Sequence, residues 1–190
     1  RAQYVAEGDR YRSQSDTEVL LHAYAREGLK CVHRLNGIFT FGLWDGRARR
    51  LVLARDRFGV KPLYYRIEPD RLIFASEIKA ILAVMAGERR VCLEALNEYF
   101  TFQNVFSNLT LFDGIRILPA GHVLVVENGQ IATRPYWDLV FSPEEEDESK
   151  LVHRVRKAFE AAVVRQLVSD VPLGSYLSGG MDSASIVAVA

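Results

Sequence analysis

Ile38-Phe39-Thr40-Phe41-Gly42-Leu43-Trp44, closed by Asp45-Gly46 and followed by Leu51-Val52-Leu53-Ala54, is the stretch that decides the fold class. Two short runs rich in apolar, aromatic and β-branched residues, separated by a turn dipeptide, are the pattern of an antiparallel hairpin. Residues 62–67 and 71–75 repeat the pattern around Glu68-Pro69-Asp70, and residues 122–126 and 130–135 flank Asn128-Gly129. Asn-Gly is the strongest short hairpin signal, because both central positions of a type I′ turn need positive φ.

Outward from these hairpins the period changes to that of helices. Ser15-Asp16-Thr17-Glu18 fits a capping box, with Ser15 as N-cap and Glu18 reaching back to it. Val19, Leu20, Ala23 and Tyr24 then give an apolar face, and Gly28 closes the helix. Residues 76–84, with Ile78, Ile81 and Leu82 inward, and residues 93–102 read as two further helices. Up to about Leu139 the chain is therefore α+β with antiparallel pairing.

A different texture follows. Ser142-Pro143-Glu144-Glu145 has Ser at an N-cap, Pro at the first helical position and Glu at the third. The acidic run 144–148 then suits the positive end of the helix dipole. Leu151, Val155, Phe159, Ala162, Val163 and Leu167 continue at helical spacing, and Pro172 is expected to end that helix. Leu173-Gly174-Ser175-Tyr176-Leu177 reads as a brief strand, followed by a glycine-rich loop and a helix from Ser183 to Ala190. Helix, strand, loop and helix in sequence suggest an α/β domain, with a boundary near residues 138–145. No internal repeat is present.

Composition narrows the classes. The chain has 190 residues, 49% of them hydrophobic, and its 24 basic residues balance 24 acidic ones. A core is affordable, and nothing in the charge pattern points to nucleic acid. No apolar run approaches the length of a membrane span, and no secretory leader is recognisable at the start. Cys31 and Cys92 have no metal spacing, which suits a reducing cytoplasm. The chain starts on Arg1 and ends at Ala190 inside an apolar helical pattern, so both ends read as cut.

Ser178-Gly179-Gly180-Met181-Asp182-Ser183 carries the chemistry. Two glycines let successive N–H groups turn into one concavity, and the helix N-terminus behind them favours an anion. Ser178 and Ser183 can donate hydroxyl hydrogen bonds to phosphate oxygens. Asp182 repels phosphate directly, but a carboxylate beside phosphates can hold Mg²⁺ through water. The loop is neither a Walker A motif nor a dinucleotide fingerprint, and an ordinary strand–helix turn is the plain alternative.

This string resembles the loop of N-type ATP pyrophosphatases, and Ser169-Asp170-Val171-Pro172-Leu173-Gly174 resembles the lead-in seen in asparagine synthetases. Three stretches resemble the class II glutamine amidotransferase domain. They run from Leu35-Asn36-Gly37-Ile38-Phe39 to Trp44-Asp45, from Ala54-Arg55-Asp56-Arg57-Phe58-Gly59 to Tyr64-Tyr65, and over Phe74-Ala75-Ser76-Glu77-Ile78-Lys79-Ala80. Leu118-Pro119-Ala120-Gly121-His122 resembles the segment that closes that domain.

The resemblance implies the later part of an αββα sandwich of the N-terminal-nucleophile hydrolase type in residues 1–140. The first helix–strand–loop–helix of an ATP-pyrophosphatase domain would occupy residues 141–190. The implied parent makes asparagine from aspartate, ATP and glutamine: aspartate is activated as β-aspartyl-AMP, and ammonia released from glutamine attacks it. Amide formation on another carboxylate, or a non-catalytic scaffold, stays open as an alternative. Ser178, Gly179, Gly180, Asp182 and Ser183 would contact pyrophosphate, with Tyr176 and Leu177 near the adenosine and ATP and Mg²⁺ required. The implied partners are these small molecules, with no nucleic acid or membrane, and a homodimer is allowed.

In the same family an aspartate in Ser-Asp-x-Glu holds the α-amino group of glutamine, which makes Asp16 a substrate-binding candidate. A first-turn acid that favours the helix N-terminus accounts for Asp16 as well. The family's nucleophile is a cysteine at the mature N-terminus, whose own amine is the base. Arg1 stands at that end, so no catalytic residue is assigned and the isolated 190 residues are expected to be inactive. Cys31 and Cys92 read as packing residues. Neither Asn36-Gly37 nor Asn128-Gly129 stands where the family's Asn-Gly-Glu segment would lie. Arg55, Asp56, Arg57 and Lys61 suggest a hairpin with local ion pairs, or else a domain contact. His22, His33, His122 and His153 are too scattered for a metal site.

Overall fold

Alternation of successive side chains between the two faces of short strands is what builds the first unit. In the computed structural model, which describes residues 2–143 and 147–190, the chain divides into Arg1–Leu139 and Val140–Ala190. The first unit holds helices α1 (Ala2–Ala6), α2 (Asp16–Glu27), α3 (Ile78–Val84) and α4 (Leu93–Phe102). A 3₁₀ segment, Gly28–Arg34, follows α2. Its strands are β1 (Thr40–Asp45), β2 (Arg50–Arg55), β3 (Tyr64–Ile67), β4 (Leu72–Ala75), β5 (Arg116–Ile117), β6 (His122–Glu127) and β7 (Gln130–Pro135).

The strands form two antiparallel sheets, ordered β1-β2-β6-β7 and β4-β3-β5. Alternation along β2 and β6 separates two cores. Ala54, Val123 and Val125 pack with Ala23, Cys31 and Val32 of the α2 region. Leu53 and Leu124, on the opposite face, pack with Leu63, Tyr65 and Leu118 beside the second sheet. Ile81 of α3 is fully buried where α3 meets β3 and β4. The layers are thus helix, sheet, sheet, helix, as the family resemblance implies. Gly42 lets the sheets approach: a Cβ there would lie 2.8 Å from the Phe74 ring.

Local chemistry explains the ends of these elements. Asn128 and Gly129 both take positive φ, 51° and 75°, and close β6 onto β7 as a two-residue turn. The Asp45-Gly46 turn is longer than a dipeptide: residues 46–49 form the loop, and the Asp45 carboxylate accepts from the N–H groups of Arg47 and Ala48. Ser15 caps α2 by accepting from Thr17 N–H at 3.1 Å, and Gly28 ends it at φ 59°. Glu18, however, does not complete a capping box. Its carboxylate accepts from the N–H groups of Arg12 and Ser13 at 2.8 and 2.7 Å, because the loop before the cap folds over it.

The expected ion-pair cluster at 55–61 is also corrected. Asp56 is only 1% exposed and lies over a turn, three of whose N–H groups face its carboxylate. Its Oδ1 accepts from Phe58 and Val60 N–H at 3.1 and 3.0 Å, and its Oδ2 from Lys61 N–H at 3.1 Å. The guanidinium of Arg55 donates to the carbonyls of Gly59, Lys61 and Leu118. Backbone groups buried in this crossover between sheets need partners, and the two side chains supply them.

The second unit carries α5 (Glu148–Gln166) and α6 (Met181–Val189), which pack on each other. The Ser142-Pro143 start is corrected: both residues are non-helical, while Glu144 and Glu145 of that reading lie outside the described residues. Asp147 is the N-cap, its carboxylate accepting from the N–H groups of Ser149 and Lys150. α5 also stops at Gln166, short of Pro172, where the Ser169 hydroxyl accepts from Val171 N–H in a local turn. Residues 173–177 do not form the expected strand, because no strand among the described residues pairs with them.

Candidate functional site

Asp16 opens α2, and α2 is held against the first sheet by Leu20, Ala23 and Tyr24. That packing brings Asp16, Thr17 and Leu20 opposite the segment from Leu35 to Phe41, enclosing a cleft of about 270 Å³. Among the described residues the Asp16 carboxylate has only long contacts, to the Ser15 and Thr17 hydroxyls at 3.5 and 3.4 Å. It remains available to an incoming cation. The rest of the cleft is largely apolar, with Phe39 and Phe41 stacked at 5.9 Å on one side. An acid beside an apolar trough suits a small molecule with an ammonium head and an aliphatic body.

Both walls are anchored. Glu18 ties the start of α2 to the preceding loop, and the N–H donors of Arg12 first, with the Ser13 hydroxyl, hold its carboxyl down to about 2. Asp56 N–H donates to the Phe39 carbonyl at 2.9 Å, and Arg57 donates to the His33 carbonyl at 3.1 Å, so the 55–61 crossover fixes the far wall. Asn36 and Gly37 also line this cleft. Sequence spacing had set them aside, and only the return of the chain from the 3₁₀ segment to β1 brings them to Asp16.

The loop at 178–183 lies in the second unit. Gly179 has φ 83°, and Gly180 is the N-cap of α6 with no side chain capping it. The α6 N-terminus thus presents first-turn N–H groups to solvent. The hydroxyls of Ser178 and Ser183 stand 2.9 Å apart, and Ser183 also accepts from Ser178 N–H at 3.3 Å and donates to the Gly180 carbonyl. Here the two serines shape the turn by bonding to each other, where the sequence suggested only outward donors. Asp182 lies on the exposed first turn of α6. Tyr176 and Leu177 are exposed as well.

Other candidates resolve as packing or surface groups. Cys31 is buried in the core, and burial pushes its thiol up to about 11. Cys92 is a free, half-buried residue before α4. His22 Nδ1 lies 3.1 Å from Asp9, and His122 Nδ1 donates to the Ala120 carbonyl. Among the described residues no cluster of His, Cys, Asp and Glu could hold a metal ion.

The first unit is thus a helix–sheet–sheet–helix α+β fold with an acid-headed cleft, and the second carries a glycine-bearing loop at a helix N-terminus. Residues 1–137 match the model of the glutamine amidotransferase domain, and residues 154–190 match that of asparagine synthase. The chain belongs to the glutamine amidotransferase domain family. It is 41% identical over 191 residues to asparagine synthetase [glutamine-hydrolyzing] 3 of Bacillus subtilis, covering 100% of this chain and 31% of that protein. Against the amidase chyE of Penicillium rubens the identity is 36%, with 90% and 26% covered. The chain therefore spans about a third or less of the length of these relatives. The same fold occurs in the glutamine phosphoribosylpyrophosphate amidotransferase from B. subtilis complexed with ADP and GMP. The TM-score is 0.53 at 19% identity, covering 98% of this chain and 40% of that one.

Proposed function

We propose that this chain is the junction segment of a glutamine-dependent, ATP-consuming amide synthetase that makes asparagine from aspartate in the cytoplasm. The observation that carries this reading is the succession, on one chain, of an acid-headed cleft in an amidotransferase fold and a phosphate-type loop. The domains accordingly meet near residue 140. Asp16 holds the α-ammonium of glutamine, while the trough beside it takes the aliphatic chain. Ammonia released there serves the second domain.

In that second domain Ser178, Gly179, Gly180 and Ser183 surround the pyrophosphate of ATP, and Tyr176 and Leu177 border the adenosine. The uncapped N-terminus of α6 and the open space around Gly179 fit an anion, since a Cβ on Gly179 would meet nothing within 4 Å. Asp182 fits Mg²⁺ held through water: its carboxylate is exposed and has no protein partner among the described residues. When bound, Mg²⁺ neutralises phosphate charge beside that carboxylate.

The test uses the complete reading frame containing this chain. Asp182→Ala should abolish pyrophosphate release and leave glutamine hydrolysis intact. Asp16→Asn should do the reverse, sparing synthesis from free ammonia. Equal loss of both activities in either variant overturns the assignment of separate sites. A second reading keeps the same chemistry with a carboxylate other than aspartate as the acceptor. It is distinguished by which acid supports pyrophosphate release.

A further inference from the structure

A second cleft, between the 3₁₀ segment and the edge strand β7, takes no part in the chemistry proposed above. It encloses about 310 Å³. Its floor is apolar: Val32 and Val123 are 1% and 3% exposed. Its rim carries Lys30, His33 and Arg134, and no carboxylate lines it. Four other clefts on the molecule each include an acid: Asp16, Asp9, Asp45 or Glu160. In a chain of zero net charge, this is a local excess of positive charge.

The geometry is built rather than incidental. Arg134 stands directly opposite Val123 in the β6–β7 register, so it rises from the same face of the sheet as that floor residue. Tyr136 donates its hydroxyl to the Arg55 carbonyl at 2.8 Å, which fixes its ring as a wall. The His33 ring meets it edge-on, with centroids 6.0 Å apart and planes at 88°. Among the described residues neither the Lys30 nor the Arg134 side chain has an ion-pair or hydrogen-bond partner. A charged residue on an edge strand can deter pairing between sheets, and that alone would account for the exposed Arg134. It does not account for Lys30, which comes from a different element, or for the ring-walled floor between them.

We infer that this cleft binds a small anion whose phosphate or carboxylate head is joined to a flat apolar body. The head lies between Lys30 and Arg134, where a fork of guanidinium donors and a mobile ammonium suit an oxyanion. The body covers the Tyr136 ring and the valine floor.

Phenyl phosphate and benzoate are the probes, titrated into the isotopically labelled chain and followed by amide resonances. Both should move the resonances of residues 29–33 and 134–136, and the tighter of the two identifies the head group. Inorganic phosphate should bind more weakly, and phenol should leave these resonances in place. Lys30→Glu with Arg134→Glu should weaken binding roughly tenfold or more, as expected for losing two charge-assisted contacts. Lys30→Gln alone, away from the sheet edge, should weaken it roughly threefold, a smaller share of the same effect, and keeps the test usable if the double variant misfolds. The inference is overturned if neither probe moves these resonances at about 10 mM, well above the millimolar constant expected of a weak site. It is overturned equally if binding survives the charge reversals, or if phenol binds as well as phenyl phosphate.

Discussion

Replacing Asp56 separates a hydrogen-bonded crossover from a merely charged one. Its carboxylate accepts three backbone N–H groups, two on Oδ1 and one on Oδ2, at 3.0–3.1 Å. Hydrogen bonds to a charged group contribute about 1.5–3 kcal/mol each, so three bound the loss in Asp56→Ala at about 9 kcal/mol. Water can reach the rim of the turn, and non-additivity brings the expected loss to about 3–5 kcal/mol. Asp56→Asn keeps one oxygen for Phe58 and Val60. Its amide nitrogen then faces the Lys61 N–H, donor against donor, for an expected loss of about 1–3 kcal/mol. Tyr136→Phe, which removes the single bond to the Arg55 carbonyl, serves as the scale at about 1 kcal/mol. Urea unfolding at neutral pH measures all three. An alanine variant no less stable than the phenylalanine one, or an asparagine variant as damaging as alanine, refutes the reasoning. Because Asp56 N–H also holds the Phe39 carbonyl, the alanine variant should additionally loosen the wall of the Asp16 cleft.

Two further predictions concern titration and reactivity. Glu68 ties the β3–β4 hairpin to the end of α3: Ala86 N–H, then Arg71 and Arg66, hold its carboxyl down at about 2. The folded pKa lies below the unfolded one, so its stabilisation is complete above about pH 4.3 and fades as pH falls towards 2. Glu68→Gln should flatten that acid limb in a urea midpoint series from pH 6 to 2.5, and an unchanged slope would discount the network. Cys31, buried and raised to about 11, should resist a maleimide in the folded protein, while half-buried Cys92 is labelled first. Equal labelling rates would show that the α2 core opens readily.

What could be read in advance was whatever neighbouring residues settle among themselves. Asn128-Gly129 closes a hairpin because positive φ at two successive positions is a local preference. Ser15 caps α2 because its hydroxyl reaches an N–H two residues on. Where several local partners compete, the outcome was less visible. Asp147 displaced Ser142 as the cap of α5, and Glu18 turned to Arg12 and Ser13 instead of completing a box. Residues 173–177 have the composition of a strand, but a strand exists only through hydrogen bonds to a neighbour, and none pairs with them here.

The sequence by itself determined the periodicities, the turns and the glycine-serine loop, since φ preferences and alternating apolar faces are properties of short segments. It also carried the resemblance to the amidotransferase family. Only the tertiary structure decided that Asp16 and Asn36, twenty residues apart, share one cleft, and that Arg55 and Asp56 bond to backbone rather than to each other. The physical reason is the same in both cases. A buried polar group takes whichever partner packing brings within about 3 Å, and packing joins residues that no local pattern relates.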